Sequence, residues 1–131
     1  MKKLIVSLDE NFAKHEDLAK KTLMGLEKLF DLKTKCVEIY LVGNSFMEKN
    51  VLSFPAPKDF PRPDVKNHET LGEIYLNPVY IEGHNEDFIF MLVHGFLHLL
   101  GYDHKIKSGA MIMEEKENEI MAKLESTNGK Q

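Results

Sequence analysis

His94-Gly95-Phe96-Leu97-His98-Leu99-Leu100-Gly101-Tyr102-Asp103-His104 closes an apolar run that starts near Asn85 and carries aliphatic and aromatic side chains on almost every helical face. That pattern predicts a helix from about Asn85 to Leu100 lying inside the molecule, with other layers packed around it. Two histidines four residues apart share one face of such a helix. Each would need a buried partner, because an unpaired polar ring costs roughly 1–3 kcal/mol, and a shared metal ion satisfies both. Gly101 can adopt the left-handed conformation that ends a helix, which lets the chain turn back and aim His104 at the same point. Three neutral imidazoles with a fourth position open to water are the ligand set of catalytic rather than structural zinc. One Zn2+ per chain, held by His94, His98 and His104, is therefore expected, with water acidified to a pKa of about 7 as the nucleophile of a hydrolysis. Nickel also accepts imidazole, so the ligands alone do not select the metal.

Outward from this segment, Leu4, Val6 and Leu8 alternate as in a strand, and Asp9 and Asn11 offer capping chemistry for a helix over about Glu10 to Phe30. Val37, Ile39 and Leu41 predict a second strand, Val51 to Phe54 a short third, and Leu71 to Leu76 another, stopped by Asn77-Pro78. Pro55, Pro57, Pro61 and Pro63 remove four backbone donors, so that stretch is an irregular loop or a sheet edge. Ile112, Met113, Ile120, Met121 and Leu124 predict an amphipathic packing helix over about Ser108 to Glu125. The fold class is α+β: a small mixed sheet of about four strands packed with three main helices. With 131 residues the chain is expected to form a single domain over 1–131, with 126–131 as a frayed tail.

Composition removes several classes of function. Apolar residues at 43% and charged residues at 29% describe a chain that folds rather than a disordered one. No window holds the ~18 uninterrupted apolar residues of a membrane helix, and Asp9 and Glu10 interrupt anything resembling a signal peptide, so no membrane role is expected. The lone Cys36 permits no internal disulfide, which fits a cytoplasmic location. A net charge of −4 does not advertise nucleic-acid binding and gives no reason to expect DNA, so any RNA site must be locally basic. Lys2, Lys3, Lys58, Arg62, Lys66, Lys105 and Lys107 are candidates for such a face, although scattered lysines usually form an ordinary solvated surface.

The run His-Gly-x-Leu-His-Leu-x-Gly-Tyr-Asp-His, matched from His94 to His104, resembles the signature of the YbeY family of bacterial endoribonucleases. Val51-Leu52-Ser53-Phe54-Pro55 is similar to that family's Asp-Val-Leu-Ser-Phe-Pro segment, and Leu71-Gly72-Glu73-Ile74 to its Leu-Gly-Asp-Ile strand. The resemblance implies an α+β fold, zinc on the three histidines and cleavage of single-stranded RNA. It also implies a part in maturing the 3′ end of 16S ribosomal RNA and in ribosome quality control, with ribosomal RNA and the small ribosomal subunit as partners. The family pattern has Tyr-Arg and then a Thr-Asp pair before Val-Leu-Ser-Phe-Pro, its arginine contacting the scissile phosphate. This chain has the shorter Asn44-Ser45-Phe46-Met47-Glu48-Lys49-Asn50 there. Lys49 is the expected partial substitute, with Arg62, the only arginine, as the other candidate; a lysine binds phosphate less specifically than a bidentate arginine.

Two other readings share these residues. His94, His98, Gly101 and His104 also reproduce the metzincin protease spacing, with Met111 or Met113 as imitations of a Met-turn, but Gly95 stands where those enzymes carry a general-base glutamate. Glu73 or Asp103 would have to supply a base through space, and the two methionines at helical spacing read more simply as core. The third reading is a non-catalytic ribosome-assembly factor that has lost cleavage along with the arginine. Asp103 is a candidate either to orient a histidine or to cap the loop. His15, His68 and His84 have no partner spacing and are expected to be exposed or locally hydrogen-bonded.

Overall fold

Strand and helix periods follow one another along the chain as β1 (Lys2–Ser7), α1 (Ala13–Leu29), β2 (Lys35–Leu41), β3 (Val51–Pro55), β4 (Glu69–Leu76), α2 (Pro78–Gly83), α3 (Phe88–Leu99) and α4 (Lys107–Asn128). The computed structural model describes residues 1–57 and 69–128. Its four strands lie in the order β1-β2-β4-β3, with β1, β2 and β4 parallel and β3 antiparallel to β4 at the edge. This is the expected α+β mixed sheet with helices. Strand register puts Ile5, Ile39 and Ile74 in one row beneath the helices. Alternation sends Val37, Ile39, Leu41, Ile74 and Leu76 into the core and leaves Glu38, Tyr40, Glu73 and Tyr75 on the opposite face. There Tyr75 stacks between Tyr40 and Phe46, and burial beside Glu38 pushes the Tyr40 phenol up to about 12.

Helices α1 and α3 cover the core face of the sheet, and α4 packs its apolar stripe on those two helices. In α1, Ala19, Thr22, Leu23 and Leu26 recur at helical spacing and are buried, and in α4 the buried positions are Met113, Glu117, Ile120 and Leu124. Both helices pack against α3, whose Phe88, Leu92, Val93, Phe96, Leu97 and Leu99 are buried. Fully burying each such side chain stabilises the fold by about 1.5–3 kcal/mol. Gly95 allows α3 to approach the sheet: a Cβ there would lie 2.8 Å from Ser53 Oγ and 3.0 Å from Ile74 Cγ2. The same contact carries a hydrogen bond from Ser53 Oγ to the Gly95 carbonyl, 3.0 Å.

Several boundaries differ from the expectation for local reasons. Asp9 does not cap α1, which begins after Phe12 without a side-chain cap. Its carboxylate instead accepts from the Gly43 amide and the Ser45 hydroxyl, at 2.7 and 2.9 Å. Asn77-Pro78 both ends β4 and starts the short helix α2, with Asn77 Oδ1 accepting from the Tyr80 amide and Pro78 in the first turn. Asn85 takes φ 57° in the link to α3, so the N-cap is Asp87, whose Oδ1 accepts from the Ile89 amide. Pro55 ends the edge strand β3, as its missing donor allows, while Pro61 and Pro63 lie outside the described residues. Helix α4 continues to Asn128, and the rest of the expected tail is likewise outside them. No described helix is long and apolar enough to cross a membrane.

Candidate metal centre

At the C-terminus of α3, the Tyr102 amide donates to the Leu97 carbonyl and the Gly101 amide to the His98 carbonyl, at 3.0 and 3.1 Å. This is the Schellman pairing, and Gly101 at φ 103° supplies its backward turn. A Cβ at Gly101 would meet nothing within 4 Å, so its glycine serves conformation, whereas the glycine at position 95 serves space. The turn swings the chain so that the His104 ring lies 5.6 Å from that of His94 and 4.9 Å from that of His98. One ligand nitrogen from each of the three rings lies within 4.8 Å of the others. The expected residues are thus brought together, two of them half-buried and His104 exposed.

The chemistry of this donor set fits a cation. His94 Nδ1 donates to Glu117 Oε2 at 2.7 Å, and His98 Nδ1 donates to the Tyr102 carbonyl at 3.0 Å. With both Nδ1 atoms holding their protons against these acceptors, both Nε2 atoms carry lone pairs in the neutral rings. Those Nε2 atoms face each other at 3.2 Å, an arrangement that a shared cation satisfies. Burial and the neighbouring His94 hold the His98 ring below the ordinary histidine range, against the opposing pull of the Tyr102 carbonyl, and so favour the neutral form that can ligate. His94, His98 and His104 therefore form a cluster able to hold a metal ion.

Glu117 escaped the sequence reading. The signal was available, since Met113, Glu117, Ile120 and Leu124 follow one helical stripe, and a carboxylate among them needs a buried partner. Its side chain is 9% exposed, and its contact to His94 is the carboxylate–histidine pairing that fixes a ligand's tautomer and ring orientation. Asp103 has the other of its two expected roles: Oδ1 accepts from the Lys105 amide at 2.6 Å and so caps the loop. Glu73 accepts from the Tyr75 hydroxyl on the sheet face away from the helices, which removes it from the histidines. Met113 is core and Met111 is exposed. His84 has the expected local partner, the Tyr80 carbonyl, whereas His15, half-buried, pairs with Glu82 from a distant part of the chain because α1 and α2 meet there. His68, Lys58, Arg62 and Lys66 lie outside the described residues.

A groove of about 690 Å³ opens over the histidines, walled on one side by Lys49, Asn50, Val51, Leu52 and Ser53 and on the other by Phe90, Met91 and the loop through Lys105. It follows the edge strand β3, and Lys49 is among its lining residues. A family model described as Endoribonuclease YbeY matches residues 8–125. The chain belongs to the YbeY family. It is 32% identical to the Endoribonuclease YbeY of Francisella tularensis subsp. novicida strain U112 over 103 residues, covering 70% of this chain and 64% of that protein. Against the Endoribonuclease YbeY of Homo sapiens it is 30% identical over 126 residues, covering 82% of this chain and 75% of the human one. The chain thus spans less than two thirds of the length of the Francisella relatives it matches.

Proposed function

We propose that this chain is a zinc-dependent endoribonuclease that cleaves single-stranded RNA, acts in maturing the 3′ end of 16S ribosomal RNA and in ribosome quality control, and works in the cytoplasm beside the small ribosomal subunit. The observation that carries this reading is the pair of histidine Nε2 atoms facing each other at 3.2 Å inside a groove that an extended strand can enter. The two relatives named above are called endoribonucleases, and the family membership extends that activity to this site. Zinc, when bound, supplies a Lewis acid and activates water at neutral pH. His94 and His98 hold it through Nε2, His104 completes the set from the loop, and Glu117 keeps the His94 proton on Nδ1. Lys49 and Lys105 line the groove with positive charge that attracts a phosphate backbone.

The decisive experiment compares metal content, cleavage of a single-stranded ribosomal RNA 3′-end substrate and cleavage of casein for the wild type and His98→Ala. About one zinc per chain, with RNA cleavage lost in the variant, is the expected result. Casein cleavage instead would favour a protease, although Gly95 leaves that chemistry without its usual base. Stoichiometric metal with neither activity would favour an assembly factor, the reading that the missing arginine in Asn44–Asn50 supports. Absence of metal would overturn the centre itself.

A further inference from the structure

We propose that Phe90 is the surface on which the groove stacks a nucleobase of its RNA, beside the phosphate held at the metal centre; this rests on the endoribonuclease reading above. Phe90 is half-buried, yet its neighbours Ile89 and Met91 pack against the hydrophobic core and Phe90 does not, among the described residues. It lines the groove instead. Phe90, His94 and His98 follow one stripe of α3 at four-residue spacing, so the phenyl ring lies one turn, about 6 Å along the helix axis, from the first ligand. Its ring is near-parallel to that of His94, with centroids 6.5 Å apart and planes 29° apart.

The groove offers both kinds of surface that a nucleotide needs. Phe90, Met91, Val51 and Leu52 supply apolar lining, while the three histidines, Lys49 and Lys105, with Asp103 among them, supply polar and charged lining. A half-buried aromatic ring that lines a groove rather than packing on the core gains most from a flat, apolar partner, and every base has such a face. Stacking of this kind tolerates any base, so Phe90 contributes affinity without strong sequence preference.

The test measures binding of a short labelled single-stranded RNA with hydrolysis-resistant phosphorothioate linkages to the full chain loaded with zinc. Wild type, Phe90→Leu and Phe90→Trp are compared, together with RNAs carrying one abasic site at successive positions. Stacking predicts roughly 5- to 150-fold weaker binding for Phe90→Leu and recovery for Phe90→Trp. One abasic position should weaken the wild type by a similar factor and leave Phe90→Leu unaffected, because the interaction is already gone. Thermal unfolding midpoints confirm that the variants fold. Unchanged binding by Phe90→Leu, a loss that tryptophan does not recover, or additive losses at every abasic position would overturn the stacking role while leaving the nuclease reading intact. A wild type that binds no RNA would overturn both.

Discussion

Residues 94–104 and residues 43–50, the latter through Lys49 and Asn50, border the same groove but hold their shapes by different means. The first segment is organised mainly locally, with Glu117 and Ser53 reaching His94 and Gly95 from farther away: the turn after α3 closes through Tyr102 to Leu97 and Gly101 to His98, and the His98 ring is fixed by the Tyr102 carbonyl four residues away. The second is tied down mainly from a distance. The Gly43 amide donates to Asp9, the buried Asn77 donates through Nδ2 to Asn44 Oδ1 at 2.9 Å and to the Met47 carbonyl at 2.6 Å, and Asn50 reaches Glu86. The difference shows what each half of the site depends on. A local turn needs its own residues in order, whereas a loop pinned by a remote amide depends on a residue far along the chain.

Metal addition should separate the two regions most strongly. Zinc at about 100 times its dissociation constant stabilises the folded state by about 2.7 kcal/mol. Hydrogen exchange should slow at residues 101–105 and remain unchanged at residues 43–50; equal protection in both would show that they form one unit. Next in size is Glu117→Gln, which keeps an acceptor for His94 Nδ1 but removes its charge. Chelator competition should show metal binding weakened about 10- to 100-fold, and an unchanged affinity would mean that the 2.7 Å contact does not orient the ligand.

Asn77→Ala removes the α2 cap and the tether of the 43–50 loop together, and denaturant unfolding should register a loss of about 0.5–2 kcal/mol. Metal affinity should not move; if it falls as far as in Glu117→Gln, the independence of the two walls is wrong. The smallest effect belongs to Lys49→Ala. One fewer phosphate contact should reduce the salt dependence of RNA binding by a slope of about 1 and weaken binding modestly. A slope identical to that of the wild type would return Lys49 to the solvated surface.

What could be read in the sequence follows the same division. Strand alternation in Val37-Glu38-Ile39-Tyr40-Leu41, and the i, i+4 pair His94 and His98 with the Gly101 turn, are consequences of period and backbone sterics, which operate within a few residues. The place of β3 at the sheet edge, beyond β4 rather than beside β2, depends on pairing between distant segments, and no local period encodes it. Asp9 has capping chemistry wherever it stands, and only the packed chain reveals that Gly43 and Ser45 claim it first. Glu117 was visible as a misplaced charge on a buried stripe, but its partner lies 23 residues away and cannot be inferred from α4 alone.

The position of that partner bears on how the chain is made. All three histidines precede α4 in the sequence, and the carboxylate that orients His94 arrives with α4. Polypeptides leave the ribosome N-terminus first, and domains generally fold as units. A growing chain therefore presents His94, His98 and His104 before the Glu117 carboxylate can fix the His94 tautomer, whereas the Tyr102 carbonyl that holds His98 is already made. The order of synthesis thus leaves the His94 ring without its orienting carboxylate until α4 has emerged and docked.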